Sequence, residues 1–213
     1  VTREGVLGHL RALNEAVDLP INADFESGFA HEPEAVAGNV RLAAQAGVAG
    51  LSIEDRNVRA LDQLYDTSFA AERIRAARHA LDASADSVVL VARTEILLID
   101  PTAVRAATDK LVAFAEAGAD CLYAPGVTNP TDIASLVRAV APKPLNVLQA
   151  RPGLTLAQLR DLGVRRVSVG GALARVAWGA VIAAAEQLRA GSFDGLANGA
   201  PHQKLNQVFG SFV

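Results

Sequence analysis

The sequence predicts an α/β fold of the (β/α) barrel kind, a parallel sheet whose strands alternate with helices. Three observations carry that expectation. Segments with helical apolar spacing alternate with short β-rich runs along the 213-residue chain, and strict alternation builds right-handed crossovers and a parallel sheet. A weak repeat, Ala46-Gly47-Val48, Ala117-Gly118-Ala119 and Leu162-Gly163-Val164, closes three helices just before strands. Polar residues gather where strands end, which is where such a barrel carries its chemistry. A doubly wound open sheet shares that last property, but the chain has no GxGxxG or Walker loop.

In chain order, Thr2 caps a first helix whose apolar face is Val6, Leu10, Leu13 and Val17. Pro20-Ile21 opens a strand that runs through Asp24 and Glu26 and breaks at Gly28. Pro33 suits the first turn of the next helix, which Val36, Val40 and Ala44 line and Gly47 closes. A strand over Gly50–Ile53 ends in Glu54-Asp55. Residues 56–67 read as a loop, followed by an Ala- and Arg-rich helix from about Phe69 to Ala83. The continuous apolar run Val88–Ala92 marks a strand covered on both faces, and it ends in Arg93-Thr94-Glu95. Asp100-Pro101 caps a helix that ends at Gly118, and Asn129-Pro130 caps another. Between them lies a strand at Cys121–Tyr123. Leu145–Leu148 is a strand carrying Asn146, with Gln149 and Arg151 beyond. Thr155 starts a helix, Val167–Val169 is the last strand, and Gly170-Gly171 leads into a long Ala-rich helix with Trp178.

The whole of 1–213 reads as a single domain, with a tail or helix over 191–213. Six strands are counted, whereas a closed TIM (β/α)8 barrel has eight. The chain also opens on a helix with no strand before it. The expectation is that two N-terminal strands lie outside this sequence.

Composition narrows the class. At 51% hydrophobic, 20% charged and net charge −3, the chain has the make-up of a globular enzyme with a sizeable core. The balance offers no basic footprint for nucleic acid. No apolar run reaches membrane-spanning length, and the lone Cys121 excludes a disulfide framework. A cytoplasmic enzyme acting on a small molecule is expected.

The strand ends supply Asp24, Glu26, Glu54, Asp55, Arg93, Glu95, Tyr123, Asn146, Gln149 and Ser168. Asp24 and Glu26 are two apart, so on an extended strand they share a face. Neighbouring strands lie about 4.8 Å apart, close enough for Asp24, Glu26 and Glu54 to share one divalent ion. Few protein ligands and several waters suit Mg²⁺. Arg93 is placed to fork a substrate carboxylate, or else to form a salt bridge with Glu54 or Glu95. The only lysines, Lys110, Lys143 and Lys204, sit on a helix, before a strand and in the tail. A Schiff-base aldolase is therefore not expected. Gly170-Gly171 has the look of a phosphate cradle at a helix start, though tight strand–helix packing accounts for it equally.

Five ordered motifs carry a resemblance: Pro20-Ile21-Asn22-Ala23-Asp24-Phe25-Glu26-Ser27-Gly28-Phe29, Ile53-Glu54-Asp55, Ala92-Arg93-Thr94-Glu95, Gly118-Ala119-Asp120-Cys121 and Pro144-Leu145-Asn146-Val147. Together they resemble the isocitrate lyase/phosphoenolpyruvate mutase superfamily over nearly the whole chain. The resemblance implies a (β/α)8 barrel, a C-terminal helix swapped between subunits and a homodimer or homotetramer. It implies that Asp24, Glu26 and Glu54 serve a Mg²⁺ (or Mn²⁺) site directly or through water. Arg93 would hold a substrate carboxylate, Glu54 would join the catalytic set, and Asn146 would line the pocket.

One departure bears on the subfamily. Isocitrate and methylisocitrate lyases carry a Lys-Lys/Arg-Cys-Gly-His loop after the Ile-Glu-Asp strand. Here residues 56–66 contain no cysteine, lysine or histidine. The mutase and phosphonopyruvate hydrolase loops use lysine and asparagine, and only Asn57 is available. Tyr65, Arg56 or Arg59 would then close the loop over substrate. The expected activity is a Mg²⁺-dependent lyase or hydrolase acting on a small α-oxo or α-hydroxy carboxylate through a pyruvate-like enolate. The alternatives are C–P bond chemistry of the mutase or hydrolase type and an inactive barrel that binds an oxo-acid.

Overall fold

A computed structural model describes residues 1–60, 62–84 and 87–210. Leu61 of the expected loop and the last three residues of the expected tail lie outside them. By compactness the chain divides into Val1–Ser168 and Val169–Val213, a boundary at the end of the last strand.

The first unit contains α1 (Arg3–Ala16), β1 (Asn22–Asp24), α2 (Pro33–Gln45), β2 (Gly50–Glu54), α3 (Thr67–Asp82), β3 (Val89–Arg93), α4 (Ile96–Ile99), α5 (Val104–Glu116), β4 (Cys121–Tyr123), α6 (Pro130–Val140), β5 (Leu145–Leu148), α7 (Leu156–Asp161) and β6 (Arg166–Ser168). The six strands form one parallel sheet in sequential order, an arc of the (β/α) barrel that the alternation predicts.

Register fixes what each face carries, because successive side chains on a strand point to opposite sides. Ala23, Leu51, Leu90, Ala92, Leu122 and Leu145 pack with the helices into the main core. The opposite face holds a small separate cluster of Val91, Cys121 and Tyr123, with Leu148 against it. At the carboxyl ends this second face carries a row in direct register: Glu54 opposite Arg93, Arg93 opposite Tyr123, Tyr123 opposite Asn146. Asp24 stands one step lower, opposite Ser52.

Local signals explain most boundaries. Thr2 accepts from Gly5 N at 3.2 Å, Asp66 from Phe69 N at 2.9 Å, and Asn129 from Thr131 N at 2.8 Å; each fills an orphan donor of a first turn. Thr155 and Gln158 form a full capping box. Three expectations change. The buried face of α1 is Leu7 and Leu10, while Leu13 is exposed. Asp100 folds back onto Thr102 instead of capping, so α5 starts only at Val104, and α4 occupies the stretch before it. Glu26 does not extend β1: its φ is +46°, a left-handed turn that takes it out of strand geometry.

The second unit holds α8 (Ala172–Arg189), a short 3₁₀ turn at Asp194–Leu196 and α9 (His202–Phe209). Among the described residues no helix is long and apolar enough to cross a membrane.

Candidate active site

The carboxyl ends of β1, β2 and β3 deliver Asp24, Glu54 and Arg93 to one place. Arg93 Nε lies 2.6 Å from Glu95 Oε1 and 3.3 Å from Glu54 Oε2. Its Nη1 lies 3.6 Å from Asp24 Oδ2. Both alternatives weighed for Arg93 as a salt-bridge partner are therefore realised together. Glu95 also receives Arg56 Nη2 at 3.3 Å, and Ser52 Oγ lies 3.3 Å from Asp24 Oδ1.

The electrostatics of this cluster are uneven. Burial, reinforced by the charges of Glu95 and Asp24, outweighs Arg93 and Arg56 and pushes the Glu54 carboxyl up to about 7. Burial works against the charge on Arg93, but the hydrogen bond and charge of Glu95, with Glu54 and Asp24, raise its pKa. Three carboxylates thus face one guanidinium, through its Nε and Nη1, with Arg56 at the rim. The site holds more negative charge than its arginines balance.

A second network lies beneath the same strand ends. Asp55, next to Glu54 and so on the other face, is 1% exposed. It accepts from Thr94 Oγ1 at 2.8 Å and from Glu95 N at 2.9 Å, and pairs with Lys110 Nζ at 2.9 Å. Lys110 also donates to Tyr65 O at 2.7 Å. Arg73, on α3, is 1% exposed. It donates to the carbonyls of Ser27, Ala30, His31 and Glu54, with Tyr65's ring 4.4 Å beneath its guanidinium carbon. This cation satisfies a row of turn carbonyls after β1 that would otherwise be buried unpaired.

The loop after β2 is pinned to these groups. Ser27 Oγ donates to Arg56 O at 2.8 Å, Arg59 reaches Glu32 at 3.1 Å, and Asn57 Oδ1 is used within the loop by Arg59 N. Tyr65 is not a closing residue: it is buried, and its hydroxyl lies 3.0 Å from His31 Nδ1 and 3.2 Å from Val58 N.

Of the residues expected at the site, Asp24, Glu54 and Arg93 come together. Glu26 is exposed in the turn, and among the described residues its carboxylate joins none of these pairs. Asn146 is fully buried in the row beside Tyr123; its Nδ2 donates to Ser168 Oγ at 2.9 Å, and its Oδ1 is a buried acceptor without a hydrogen-bond partner among the described residues. Sequence reasoning missed Lys110 and Arg73 as site-building cations. The signal was there: Lys110 falls on the buried stripe Ala107, Lys110, Leu111, Phe114 of α5, and Arg73 on the stripe Ala70, Arg73, Ile74, Ala77 of α3.

Among the described residues no three of His, Cys, Asp and Glu are grouped tightly enough to hold a metal, and the turn at Glu26 takes that residue out of the strand. The donor chemistry of Asp24 and Glu54 nevertheless fits a hard cation that keeps most of its waters, and such a cation would offset the burial, and the neighbouring charges of Glu95 and Asp24, that raise the Glu54 pKa.

The phosphoenolpyruvate phosphomutase family model matches residues 1–189. The chain belongs to this family. Its fold superposes on a solved lyase/mutase from Burkholderia cenocepacia J2315 with TM-score 0.92 and 42% identity, covering 99% of this chain and 76% of that one. It is 33% identical to 2-methylisocitrate lyase of Salmonella typhimurium over 60% of this chain and 44% of that protein. It is 30% identical to oxaloacetate decarboxylase of Rhodopseudomonas palustris over 96% of this chain and 68% of that one. The chain spans about half the length of several curated relatives it matches. Asp24, Glu54 and Arg93 close β1, β2 and β3 at their carboxyl ends, the end of the strands where a barrel of this kind carries its chemistry.

Proposed function

We propose that this member of the family is a Mg²⁺- or Mn²⁺-dependent carbon–carbon lyase or hydrolase. Its substrate is a small α-oxo or α-hydroxy carboxylate that passes through a pyruvate-like enolate. It acts in the cytoplasm as a homodimer or homotetramer. The observation that carries the reading is the carboxylate surplus around Arg93, with Asp24 and Glu54 delivered by adjacent strands.

Asp24 and Glu54 would hold the ion, with Glu26 contributing through water. When bound, the ion neutralises charge that develops on the oxo and carboxylate oxygens. Arg93 orients the substrate carboxylate, and its own position is set by Glu95. Arg56 and Arg59 sit on a loop held at Ser27 and Glu32, so they border the site and limit water entry. Asn146 acts from below, by fixing Ser168.

Asp24→Ala tests this. Turnover of an oxo-acid substrate should fall by roughly 10³-fold, calorimetric Mg²⁺ binding should vanish, and the circular dichroism spectrum should be kept. Unchanged turnover removes the metal role. The family model itself favours a second reading, C–P bond chemistry, and turnover of phosphonopyruvate in place of oxo-acids would establish it. Metal binding with no product from either panel would point to an oxo-acid-binding barrel, in line with a loop whose Asn57 is spent on its own backbone.

A further inference from the structure

Tyr123 is paired with Arg93 in the sheet register. The Arg93 guanidinium carbon lies 5.3 Å from its ring centroid, and the residue is 8% exposed. Its hydroxyl shares a hydrogen bond with Ser168. Ser168 Oγ already accepts from Asn146 Nδ2 at 2.9 Å. A hydroxyl that accepts in this way keeps its own proton to give, and the Ser168 hydrogen bond lowers the Tyr123 pKa, the direction expected when Ser168 donates to Tyr123 Oη. The phenol proton is then left for a third group. Burial raises the Tyr123 pKa, more than Arg93 and Ser168 lower it, and the phenol stays protonated at neutral pH.

Other carriers of a proton are occupied. Cys121 faces the same side but one step below, level with Val91, and burial pushes its thiol up to about 11. Lys110 is spent on Asp55 and on Tyr65 O. His31 is engaged with the Tyr65 hydroxyl and stacks on Phe69. Asp24 and Glu54, paired with Arg93 at 3.6 and 3.3 Å, are the groups assigned above to the ion. With Glu54 assigned to the ion, Tyr123 is the protic side chain left beside Arg93 in the row.

We propose that Tyr123 is a catalytic residue, the proton donor to the enolate carbon, and that Ser168 is the positioning residue that aims it. The assignment rests on the enolate reading above. The carbon–carbon bond beside the carbonyl breaks, and its electron pair remains on the enolate. The Tyr123 O–H bond then breaks, its proton forms the new C–H bond, and the phenolate takes a proton back from water. No oxidant or reductant is needed.

Pyruvate in D₂O with Mg²⁺ reads this step without knowledge of the leaving group, because loss of the methyl proton signal reports enolate formation and reprotonation. The wild-type protein should exchange pyruvate protons and bind oxalate, a mimic of the enolate. Tyr123→Phe should slow exchange about 100-fold and leave the calorimetric affinity for oxalate unchanged. Ser168→Ala should show a smaller loss of exchange that Ser168→Thr, which keeps the hydroxyl, restores. Wild-type exchange in Tyr123→Phe overturns the donor role and leaves the enolate reading standing. Loss of oxalate binding together with exchange in that variant makes Tyr123 structural and overturns the donor role as well. A wild-type protein that binds oxalate without exchanging pyruvate also overturns it. Failure of the wild type in both assays overturns the enolate reading itself.

Discussion

Glu54 and Asp55 are neighbours in sequence and opposites in environment. Glu54 points to the inner face of the sheet, between Asp24, Glu95 and one shared arginine, with its pKa raised to about 7. Asp55 points among the helices and is matched group for group: a hydroxyl, a backbone N–H and a lysine. Burial alone does not separate them, since the Glu54 side chain is 11% and the Asp55 side chain 0% exposed. Partner supply does. A buried carboxylate with its full set of donors holds structure together, whereas one left short of positive charge is ready to take a cation or a substrate group.

The sharpest way to break this contrast is to give Asp55 the shortage that Glu54 has. Lys110→Met leaves the Asp55 carboxylate buried without its cation, and unpairing a buried ion costs about 3–5 kcal/mol. Urea unfolding should show a loss of that order. The double variant Lys110→Met, Asp55→Asn should recover part of it, because the stranded charge is gone. A loss below about 1 kcal/mol would mean that Asp55 is not the structural member of the pair.

A smaller effect is expected from titrating Glu54 in metal-free protein. Its folded pKa of about 7 lies above the ordinary value of 4.5. Between those two values the folded state keeps a proton that the unfolded state releases. The contribution of Glu54 to stability is therefore greatest below about 4.5, falls as pH rises through that window, and levels off above about 7, a change of roughly 3 kcal/mol. Glu54→Gln should flatten this fall, measured by thermal unfolding across the same pH range. A wild-type profile in that variant would show that another group titrates there.

The contrast also shows how far the sequence could be read. Strands and helices follow from local pattern, so β3 and the stripe of α2 stand in the residues themselves. The inner row was legible in outline because strand-end acids and Arg93 need only parallel neighbours to meet. The helix-side network was not, because Lys110 and Asp55 are brought together only by the packing of α5 on the sheet. Lys110 was read as an uninvolved helix lysine for that reason. Glu26 failed for a local reason: a two-residue spacing places side chains on one face only while the backbone stays extended, and at φ +46° it does not. A charged residue on an otherwise apolar helical stripe, as at Lys110 and Arg73, was the overlooked clue.

The finest division lies at Thr94, between the two networks. Its hydroxyl donates to Asp55 Oδ2 at 2.8 Å, and the Glu95 N–H that follows donates to Oδ1 at 2.9 Å. Asp55 thereby sets where Glu95 starts, and Glu95 sets where Arg93 ends. Thr94→Val keeps the shape of the side chain and removes one donor, so stability should fall by about 1 kcal/mol. The Glu95 N–H and Lys110 still hold Asp55, so oxalate affinity, which reads the position of Arg93, should change little. A large loss of oxalate affinity with little loss of stability would reverse the assignment and make the Asp55 side of the strand part of the binding machinery.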